Sequence, residues 1–244
     1  MAGHSHWAKI KRAKGATDAK RGKVWGKIAR KLIIAARGGG GDPAQNLNLR
    51  YTIEEAKASN MHKDTIANAI KKGTGELGGD NYESAVYEAY APGGVAMMID
   101  CLTNNRSRTA PDLRAILDKN GGNLATSGAV SFQFSKVGII SIKADAVNED
   151  RLMEVALDAG ADDVRNVGEG YDVITSPVLF HQVKEAISTT AGIAVEGAEV
   201  TYVPNSSVAV EGETAARVMK LIDALEDNED VQSVSHNAEL PEDM

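Results

Sequence analysis

The chain has 244 residues, of which 43% are hydrophobic and 25% charged, an ordinary balance for a globular protein with more than one core. A single cysteine, Cys101, excludes an internal disulfide network and a cysteine-rich zinc site, and no apolar run approaches the roughly 20 residues that span a membrane. The formal net charge of −7 is unevenly distributed: residues 1–78 hold 16 Lys and Arg against 6 Asp and Glu, a net charge of +10, and residues 79–244 carry −17.

The chain begins with a basic segment. Residues 1–16 are polar and basic without apolar periodicity, which predicts an arm that is flexible when free. Residues 17–37 place apolar side chains at spacings of three and four on one face, and lysines and arginines on the opposite face. This pattern predicts an amphipathic helix, which the glycines at 38–41 are expected to end.

Two shorter helices are predicted next. Asp42-Pro43 is typical of a helix start, with an N-cap followed by proline at the first helical position. Asn60 is expected to cap a third helix, with Gly73 just past its end. The three helices predict a helical basic domain over residues 17–78.

The rest of the chain alternates strand and helix patterns. Two strands joined by a Pro-Gly-Gly turn, a helix and a strand at 129–134 lack the second helix and final strand of a complete α/β sheet. Residues 137–204 show the whole order β-α-β-β-α-β of a split βαβ, or ferredoxin-like, domain. We therefore predict a discontinuous α/β domain, residues 79–136 plus 205–244, with the domain at 137–204 inserted. The predicted fold class is a multi-domain α + α/β protein: an N-terminal three-helix domain followed by two ferredoxin-like (split βαβ) α/β domains, one discontinuous.

No motif indicates an enzyme, a metal site or a cofactor. Gly73-Thr-Gly75-Glu-Leu-Gly78 matches G-x-G-x-x-G, but dinucleotide binding needs this loop between a strand and a helix. Here the pattern follows a helix, which favours a linker. His4 and His6 have no neighbouring thiol or carboxylate, and the adjacent cations would repel a metal ion. We expect no catalytic residue, no metal and no cofactor.

The basic segment is the strongest functional signal. Lys and Arg side chains neutralise phosphates and release counterions, and Trp7 is suited to stack on a base or ribose. A solvated surface is the alternative, but one sign of charge dominates about thirty consecutive residues while the rest of the chain is acidic. Within the acidic part, Arg106 and Arg108 form a secondary basic spot. The predicted nucleic-acid-binding residues are His4, His6, Trp7, Lys9, Lys11, Arg12, Lys14, Lys20, Lys23, Lys27, Arg30, Lys31, Arg37, Arg106 and Arg108.

Several stretches of the chain resemble the YebC/PmpR family. The sequence opens with MAGHSHWAKIK, carries YEAYAPGG at 87–94 and continues with TNNRSRT at 103–109, and the match extends over essentially the whole chain. The resemblance implies a three-domain cytoplasmic protein with a helical N-terminal domain, two α/β domains and no agreed catalytic residues. Members are described as probable DNA-binding transcriptional regulators, mitochondrial relatives as translational activators, and some bacterial members as ribosome-associated translation factors. The start of the sequence, with no presequence, favours a bacterial-type member.

Three functions stay open at this level. A transcriptional regulator would use the basic domain on DNA, a translation factor would place the arm and first helix on ribosomal RNA, and a protein-interaction scaffold would use the acidic α/β domains. A flexible basic arm with Trp and His suits an irregular RNA surface better than a regular groove, and the missing dimerisation and recognition-helix signals weaken a sequence-specific DNA interpretation. The family description leans toward DNA. We expect DNA or ribosomal RNA as the main partner, the ribosome and other proteins as further partners, a cytoplasmic location and no membrane contact.

Overall fold

A computed structural model describes residues 18–78, 81–189 and 193–241, with the side chains of the first helix described from residue 22 onward. Within these ranges the helices are α1 (Asp18–Gly39), α2 (Leu47–Ala58), α3 (Lys63–Thr74), α4 (Arg106–Lys119), α5 (Glu149–Asp158), α6 (Phe180–Thr189) and α7 (Gly212–Glu226). The strands are β1 (Glu83–Ala91), β2 (Val95–Thr103), β3 (Asn123–Leu124), β4 (Phe134–Lys143), β5 (Asp163–Asn166), β6 (Gly170–Thr175), β7 (Val195–Pro204), β8 (Val208–Ala209), β9 (Val231–His236) and β10 (Ala238–Glu239).

Helices α1, α2 and α3 form a helical domain with its own core. Apolar residues three and four apart give α1 one buried stripe, which includes Ile28 and Leu32. This stripe packs with Leu49 of α2 and Ile66 of α3. The domain therefore has a core of its own, and Tyr82, from the segment that leads to β1, also packs against it.

The start of α2 differs from the prediction. The helix begins after, not at, Asp42-Pro43, because Asn46 is its N-cap. Asn46 Oδ1 accepts a hydrogen bond from the backbone N–H of Leu49 at 3.1 Å. Its Nδ2 donates to the carbonyl oxygen of Ala35 in α1 at 2.7 Å. The cap thus joins two helices, a contact between helices that no local pattern reveals.

Both ends of α3 also differ from the prediction. Asn60 has a left-handed φ of 55°, and the N-cap is His62. Gly73, expected beyond the helix, is buried inside it, where a Cβ atom would lie 2.5 Å from the carbonyl oxygen of Ile33. The missing side chain lets α3 approach α1 closely, and the left-handed residue that ends the helix is Gly75, with φ 87°.

The discontinuous α/β domain is built from two chain segments. Its antiparallel sheet has the order β3-β1-β2-β9, so the C-terminal strand β9 pairs with β2. Helices α4 and α7 bury Leu113, Leu117, Leu221 and Leu225 in the core of this domain. A short parallel pair, β8 and β10, lies beside them in the C-terminal segment. Because α7 and β9 come from that segment, the first segment alone would leave its sheet incomplete.

The prediction of a strand over 129–134 is wrong, because the chain there wraps around the buried carboxylate of Glu88. Glu88 Oε1 accepts a hydrogen bond from the backbone N–H of Gly128 at 2.6 Å. Glu88 Oε2 accepts from the N–H groups of Val130 at 2.6 Å and Ser131 at 2.9 Å. These donors are therefore lost to strand pairing. The short strand β3 occupies the sheet edge instead.

The inserted domain has an antiparallel sheet of order β5-β6-β4-β7. Helices α5 and α6 pack on it and bury Leu152, Val183 and Ile187 against Ile140 of β4. This is the ferredoxin-like arrangement expected from the element order. The predicted fold class is confirmed: a three-helix domain is followed by two split βαβ domains, one of which is discontinuous.

Candidate nucleic-acid interface

The predicted nucleic-acid-binding residues divide into two sets. Outside the described part of the chain lie the arm residues His4, His6, Trp7, Lys9, Lys11, Arg12 and Lys14 and the side chain of Lys20. The structure gives contacts for the others, which are Lys23, Lys27, Arg30, Lys31, Arg37, Arg106 and Arg108. Each of these seven has a partner within the protein.

Three cations project from the same side of α1, opposite its buried stripe. Lys23, Lys27 and Arg30 are four and three residues apart, so they lie along one face of the helix, here called the α1 cationic face. This face contacts residues 226–230, which connect α7 to β9. We call this segment the acidic turn, because four of its five residues are Glu226, Asp227, Glu229 and Asp230.

Two lysines bind the C-terminal end of α7. Lys23 Nζ lies 3.0 Å from Asp227 Oδ1, and Lys27 Nζ donates a hydrogen bond to the backbone carbonyl oxygen of Glu226 at 2.7 Å. The last carbonyls of a helix have no partner within it, and they carry the negative end of its dipole. Burial lowers the pKa of Lys27, although the neighbouring charges of Glu226 and Asp227 act in the opposite direction. Lys27 is therefore a partly desolvated cation that caps a helix of another domain.

Arg30 makes the most extensive contact with the acidic turn. Its Nη1 donates to the carbonyl oxygen of Glu229 at 2.6 Å, and its Nη2 donates to Glu229 Oε2 at 3.0 Å. Its Nη2 also lies 4.0 Å from Asp230 Oδ1. The guanidinium carbon is 5.6 Å from the ring centroid of Tyr82, and the side chain is only 12% exposed. The buried Nε of Arg30 has no hydrogen-bond partner among the described residues, which leave this part of the guanidinium unsatisfied.

Asp230 is the buried centre of the acidic turn. Its Oδ2 accepts hydrogen bonds from Arg108 Nη2 at 2.7 Å and from Thr109 Oγ1 at 2.8 Å. Its backbone carbonyl accepts from the N–H of Leu102 at 2.8 Å. Burial alone would raise the pKa of Asp230, but the hydrogen bonds from Arg108 and Thr109 and the charges of Arg108 and Arg30 outweigh it, so the pKa is lowered. The turn is therefore held mainly by its own domain.

The three remaining predicted cations have intramolecular partners as well. Lys31 pairs with a side chain of α2, Arg37 contacts the segment leading to β1, and Arg106 pairs with the first residue of β1. The distances are 2.8 Å from Lys31 Nζ to Glu55 Oε1, 2.8 Å from Arg37 Nη1 to Tyr82 O, and 3.0 Å from Arg106 Nε to Glu83 Oε1. Arg106 and Arg108 thus serve contacts within the protein in this conformation.

A second polar contact joins the helical domain to the inserted domain. The rings of Tyr51 in α2 and His181 in α6 are stacked, with centroids 4.9 Å apart. His181 Nε2 lies 2.7 Å from Asn48 Oδ1, and Lys184 Nζ lies 4.0 Å from the centroid of the Tyr51 ring. Burial, followed by the charges of Lys184 and Arg50, lowers the pKa of His181. The helical domain therefore contacts both α/β domains through polar and aromatic groups.

Four lysines of the helical domain are exposed, and reasoning from the sequence did not select them. Lys57, Lys63, Lys71 and Lys72 make no ion pair with any residue that the structure describes. Lys71 and Lys72 lie side by side in the last turn of α3. A local signal was available, since Lys71 has no acidic residue three or four positions away. Beside the long basic segment at the start of the chain, this pair of lysines is a weak signal.

The described residues were compared with the arrangements that hold a metal ion, span a membrane or activate a thiol. Within them, no group of three or more His, Cys, Asp or Glu side chains is arranged to hold a metal ion. None of their helices combines the length and apolar character needed to cross a membrane. Cys101 is buried in β2, and burial, followed by the charges of Asp230 and Asp100, raises its pKa to about 12. Its thiol is therefore not poised to act as a nucleophile.

Comparison with known proteins places the whole chain in one family. The profile described as the TACO1/YebC protein N-terminal domain matches residues 5–76. The profile described as the TACO1/YebC second and third domain matches residues 82–238. The chain belongs to the TACO1/YebC family. This confirms the resemblance that its motifs indicated, and the boundary between the two profiles falls between α3 and β1.

Relatives in this family match from end to end. The chain is 47% identical over 244 residues to a probable transcriptional regulatory protein of Desulforapulum autotrophicum, covering 100% of this chain and 98% of the relative. It is 49% identical over 245 residues to a protein of the same description from Photorhabdus laumondii, again covering 100% and 98%. The crystal structure of a conserved hypothetical protein from Aquifex aeolicus superposes with a TM-score of 0.87 at 45% identity, covering 98% of each chain. The relatives from Desulforapulum autotrophicum and Photorhabdus laumondii are thus both named as probable transcriptional regulatory proteins.

Proposed function

We propose that this TACO1/YebC-family chain is a nucleic-acid-binding regulator of gene expression, and that its helical domain contacts the phosphate backbone. One observation carries this proposal: residues 1–78, which include a domain with its own core, have a net charge of +10, while the two α/β domains are acidic. The names of the relatives support a regulatory role.

Charge explains why contact would be limited to one end of the molecule. Lysines and arginines that meet phosphates release condensed counterions, which gives affinity that depends on salt and little on sequence. The α/β part carries −17 and would be repelled by the same phosphates. The exposed Lys71 and Lys72 are available for a first contact, because no described residue pairs with them.

DNA is the first target, because relatives are named transcriptional regulatory proteins. RNA is a second candidate, as in a ribosome-associated translation factor, and one geometric observation favours it. The two main faces of α1 are covered, one by α2 and α3 and the other by the acidic turn. While the acidic turn stays in place, α1 cannot lie in a major groove, whereas exposed lysines at a helix end suit the irregular surface of folded RNA.

The experiment is a competition binding measurement on the full chain. Fluorescently labelled duplex DNA and a structured RNA are each titrated with protein and then displaced by the other, unlabelled. We expect Lys71→Ala/Lys72→Ala to reduce the slope of log affinity against log salt by about two, if each lysine meets one phosphate.

The matched control is Lys119→Ala/Lys220→Ala, which removes the same charge from exposed positions of the acidic discontinuous domain. We expect its slope to equal that of the unaltered protein. If a low concentration of unlabelled DNA displaces the RNA, the result favours the transcriptional role. If a low concentration of unlabelled RNA displaces the DNA, the result favours the translational role. Failure to bind either nucleic acid at low salt would overturn the proposed function and leave a protein-interaction scaffold.

A further inference from the structure

The acidic turn offers the α1 cationic face the same kind of ligand as a nucleic acid backbone. We infer that it is an internal competitor, and that nucleic acid must displace it to reach Lys23, Lys27 and Arg30. This inference rests on the proposed function and adds its regulation. In the closed conformation described here, the turn would hold the affinity of the protein for nucleic acid below the value that its basic domain allows.

The contacts themselves resemble phosphate contacts. The turn presents two carboxylates and two backbone carbonyl oxygens to the three cations, at 2.6 to 3.0 Å. Arg30 receives two of these oxygens from Glu229 in a forked arrangement, which is the geometry that arginine also uses for phosphate. Because the turn covers Arg30, whose side chain is only 12% exposed, a phosphate can reach this cation only if the turn moves away.

The end of α7 strengthens the competitor. Helix dipoles place about half a negative charge at the C-terminus, and that charge adds to the carboxylates of Glu226 and Asp227. Lys27 binds directly to a carbonyl of this last turn. The acidic turn therefore combines side-chain and backbone negative charge against α1, as a stretch of phosphates would.

Both partners would keep their structure if they separated. The helical domain has its own core, and the acidic turn is fixed by Asp230, which is 2.7 Å from Arg108 of its own domain but 4.0 Å from Arg30. Each side is therefore held mainly by contacts within its own domain. Separation is thus a movement of domains and does not require unfolding.

The contact is also of the kind that opens readily. It is polar and partly exposed to solvent: the side chains of Lys23, Asp227 and Glu229 are 47%, 63% and 77% exposed. Exposed ion pairs contribute little to stability and are screened by salt, and polar interfaces between domains favour relative motion. In the closed state no described residue accepts a hydrogen bond from the buried Nε of Arg30, so the acidic turn leaves part of the guanidinium unsatisfied. A long polyanion can therefore replace the turn.

The first test weakens the competitor without touching the cations. In Asp227→Asn/Glu229→Gln both replaced side chains are exposed and nearly isosteric, and the buried Asp230 is retained. The matched control, Asp118→Asn/Glu211→Gln, makes the same chemical changes at exposed positions of the same domain that have no described ion-pair partner. Affinity for a fluorescein-labelled single-stranded RNA and for a duplex DNA is measured for the three full-length proteins.

We expect the acidic-turn variant to bind about five-fold more tightly than the control, the lower end of the range for coupled equilibria. Because both variants lose two negative charges, a general loss of repulsion would raise both affinities equally. Equal affinities for variant and control would overturn the inference while leaving the proposed function intact. If no protein binds either nucleic acid, the proposed function itself fails.

The second test observes the opening directly. Spin labels or fluorophores are attached to Ala67→Cys in α3 and Ala216→Cys in α7, both at exposed positions, while the buried Cys101 stays unlabelled because its pKa is about 12. Saturating RNA or DNA should lengthen the distance between the labels, and Asp227→Asn/Glu229→Gln should lengthen it without nucleic acid. An unchanged distance at saturation would show that nucleic acid binds the closed conformation, which contradicts displacement.

Discussion

Lys27 donates a hydrogen bond to the carbonyl oxygen of Glu226 at 2.7 Å, across 199 positions of sequence. This bond places the cationic face of the helical domain on the end of a helix in the discontinuous domain. The charge asymmetry of the chain is thus partly neutralised inside the molecule, in the conformation described here. Any partner that uses these cations has to compete with the protein itself.

Arg108 should be far more important for stability than Arg106, although both begin α4. Arg108→Ala removes a hydrogen bond from the buried carboxylate of Asp230, and we expect a loss of about 2–3 kcal/mol in the free energy of unfolding. Arg106→Ala breaks an exposed pair with Glu83 and should cost about 0–1 kcal/mol. Urea denaturation of both variants measures the difference, and equal losses would contradict the role given to Asp230.

The free energy of unfolding should depend on pH in the acid range because of the same carboxylate, that of Asp230. The pKa of Asp230 is lowered from its ordinary value of 3.8, so its contribution to stability is complete above that value and is lost as the pH falls through the lowered pKa. Arg108→Ala should flatten this part of the pH profile, because the hydrogen bond that lowers the pKa is gone. Unfolding free energies measured from about pH 6 to about pH 2.5 give the profile. If the variant shows the same dependence of unfolding free energy on pH, other carboxylates cause the loss of stability in acid.

Glu88→Gln should destabilise the discontinuous domain by about 2–3 kcal/mol. Burial would raise the pKa of Glu88, but the backbone hydrogen bonds from Val130, Gly128 and Ser131 outweigh it and lower the pKa. A glutamine keeps one acceptor oxygen and turns an NH₂ group toward backbone donors. Thermal unfolding compared with the exposed Glu83→Gln checks this expectation, and a stability equal to that of the control would mean that water replaces the lost acceptor.

The contact between α2 and α6 should weaken in mild acid. The pKa of His181 is lowered from its ordinary value of 6.5, so the neutral ring is favoured in the folded protein and the contact is complete above 6.5. As the pH falls below 6.5 and through the lowered pKa, protonation sets a positive ring between Lys184 and Arg50, with Glu185 as the nearby acid paired to Arg50. An NMR titration of His181 should give a midpoint below 6.5. A midpoint at or above 6.5 would show that the stacked ring is protonated readily.

Cys101 should resist alkylation in the folded protein. Its pKa of about 12 leaves almost no thiolate at about pH 8, and its side chain is buried. We expect iodoacetamide to modify an introduced Ala67→Cys quickly and Cys101 only after unfolding. Mass spectrometry over time measures the rate of alkylation at each of the two cysteines. Similar rates at both would mean that β2 opens in the native state.

Local patterns in the sequence predicted much of the fold but not its long-range contacts. The spacing of Ile28 and Leu32 identified the buried stripe of α1, and turn residues with element order identified the inserted domain. The start of α2 was misplaced because Asn46 caps the helix while also bonding to α1. The strand at 129–134 was predicted wrongly because its backbone donors bind the distant carboxylate of Glu88.

The candidate site shows the same limit. The sequence identified the cations of α1 and placed them on one face, since helical periodicity is local. It could not show that this face meets Glu229 and Asp230, because that contact depends on how domains dock. The exposed pair Lys71 and Lys72 was passed over because two lysines make a weak signal beside a long basic run.

The central claim is that the basic helical domain binds phosphate backbones. Its most direct test is the dissociation constant of the full chain for duplex DNA and single-stranded RNA, measured over a series of salt concentrations. We expect binding at low salt, with log affinity falling linearly against log salt by about 0.7 to 0.9 for each phosphate contacted and a total slope of several units. Absence of binding at low salt, or an affinity that does not change with salt, would contradict the claim.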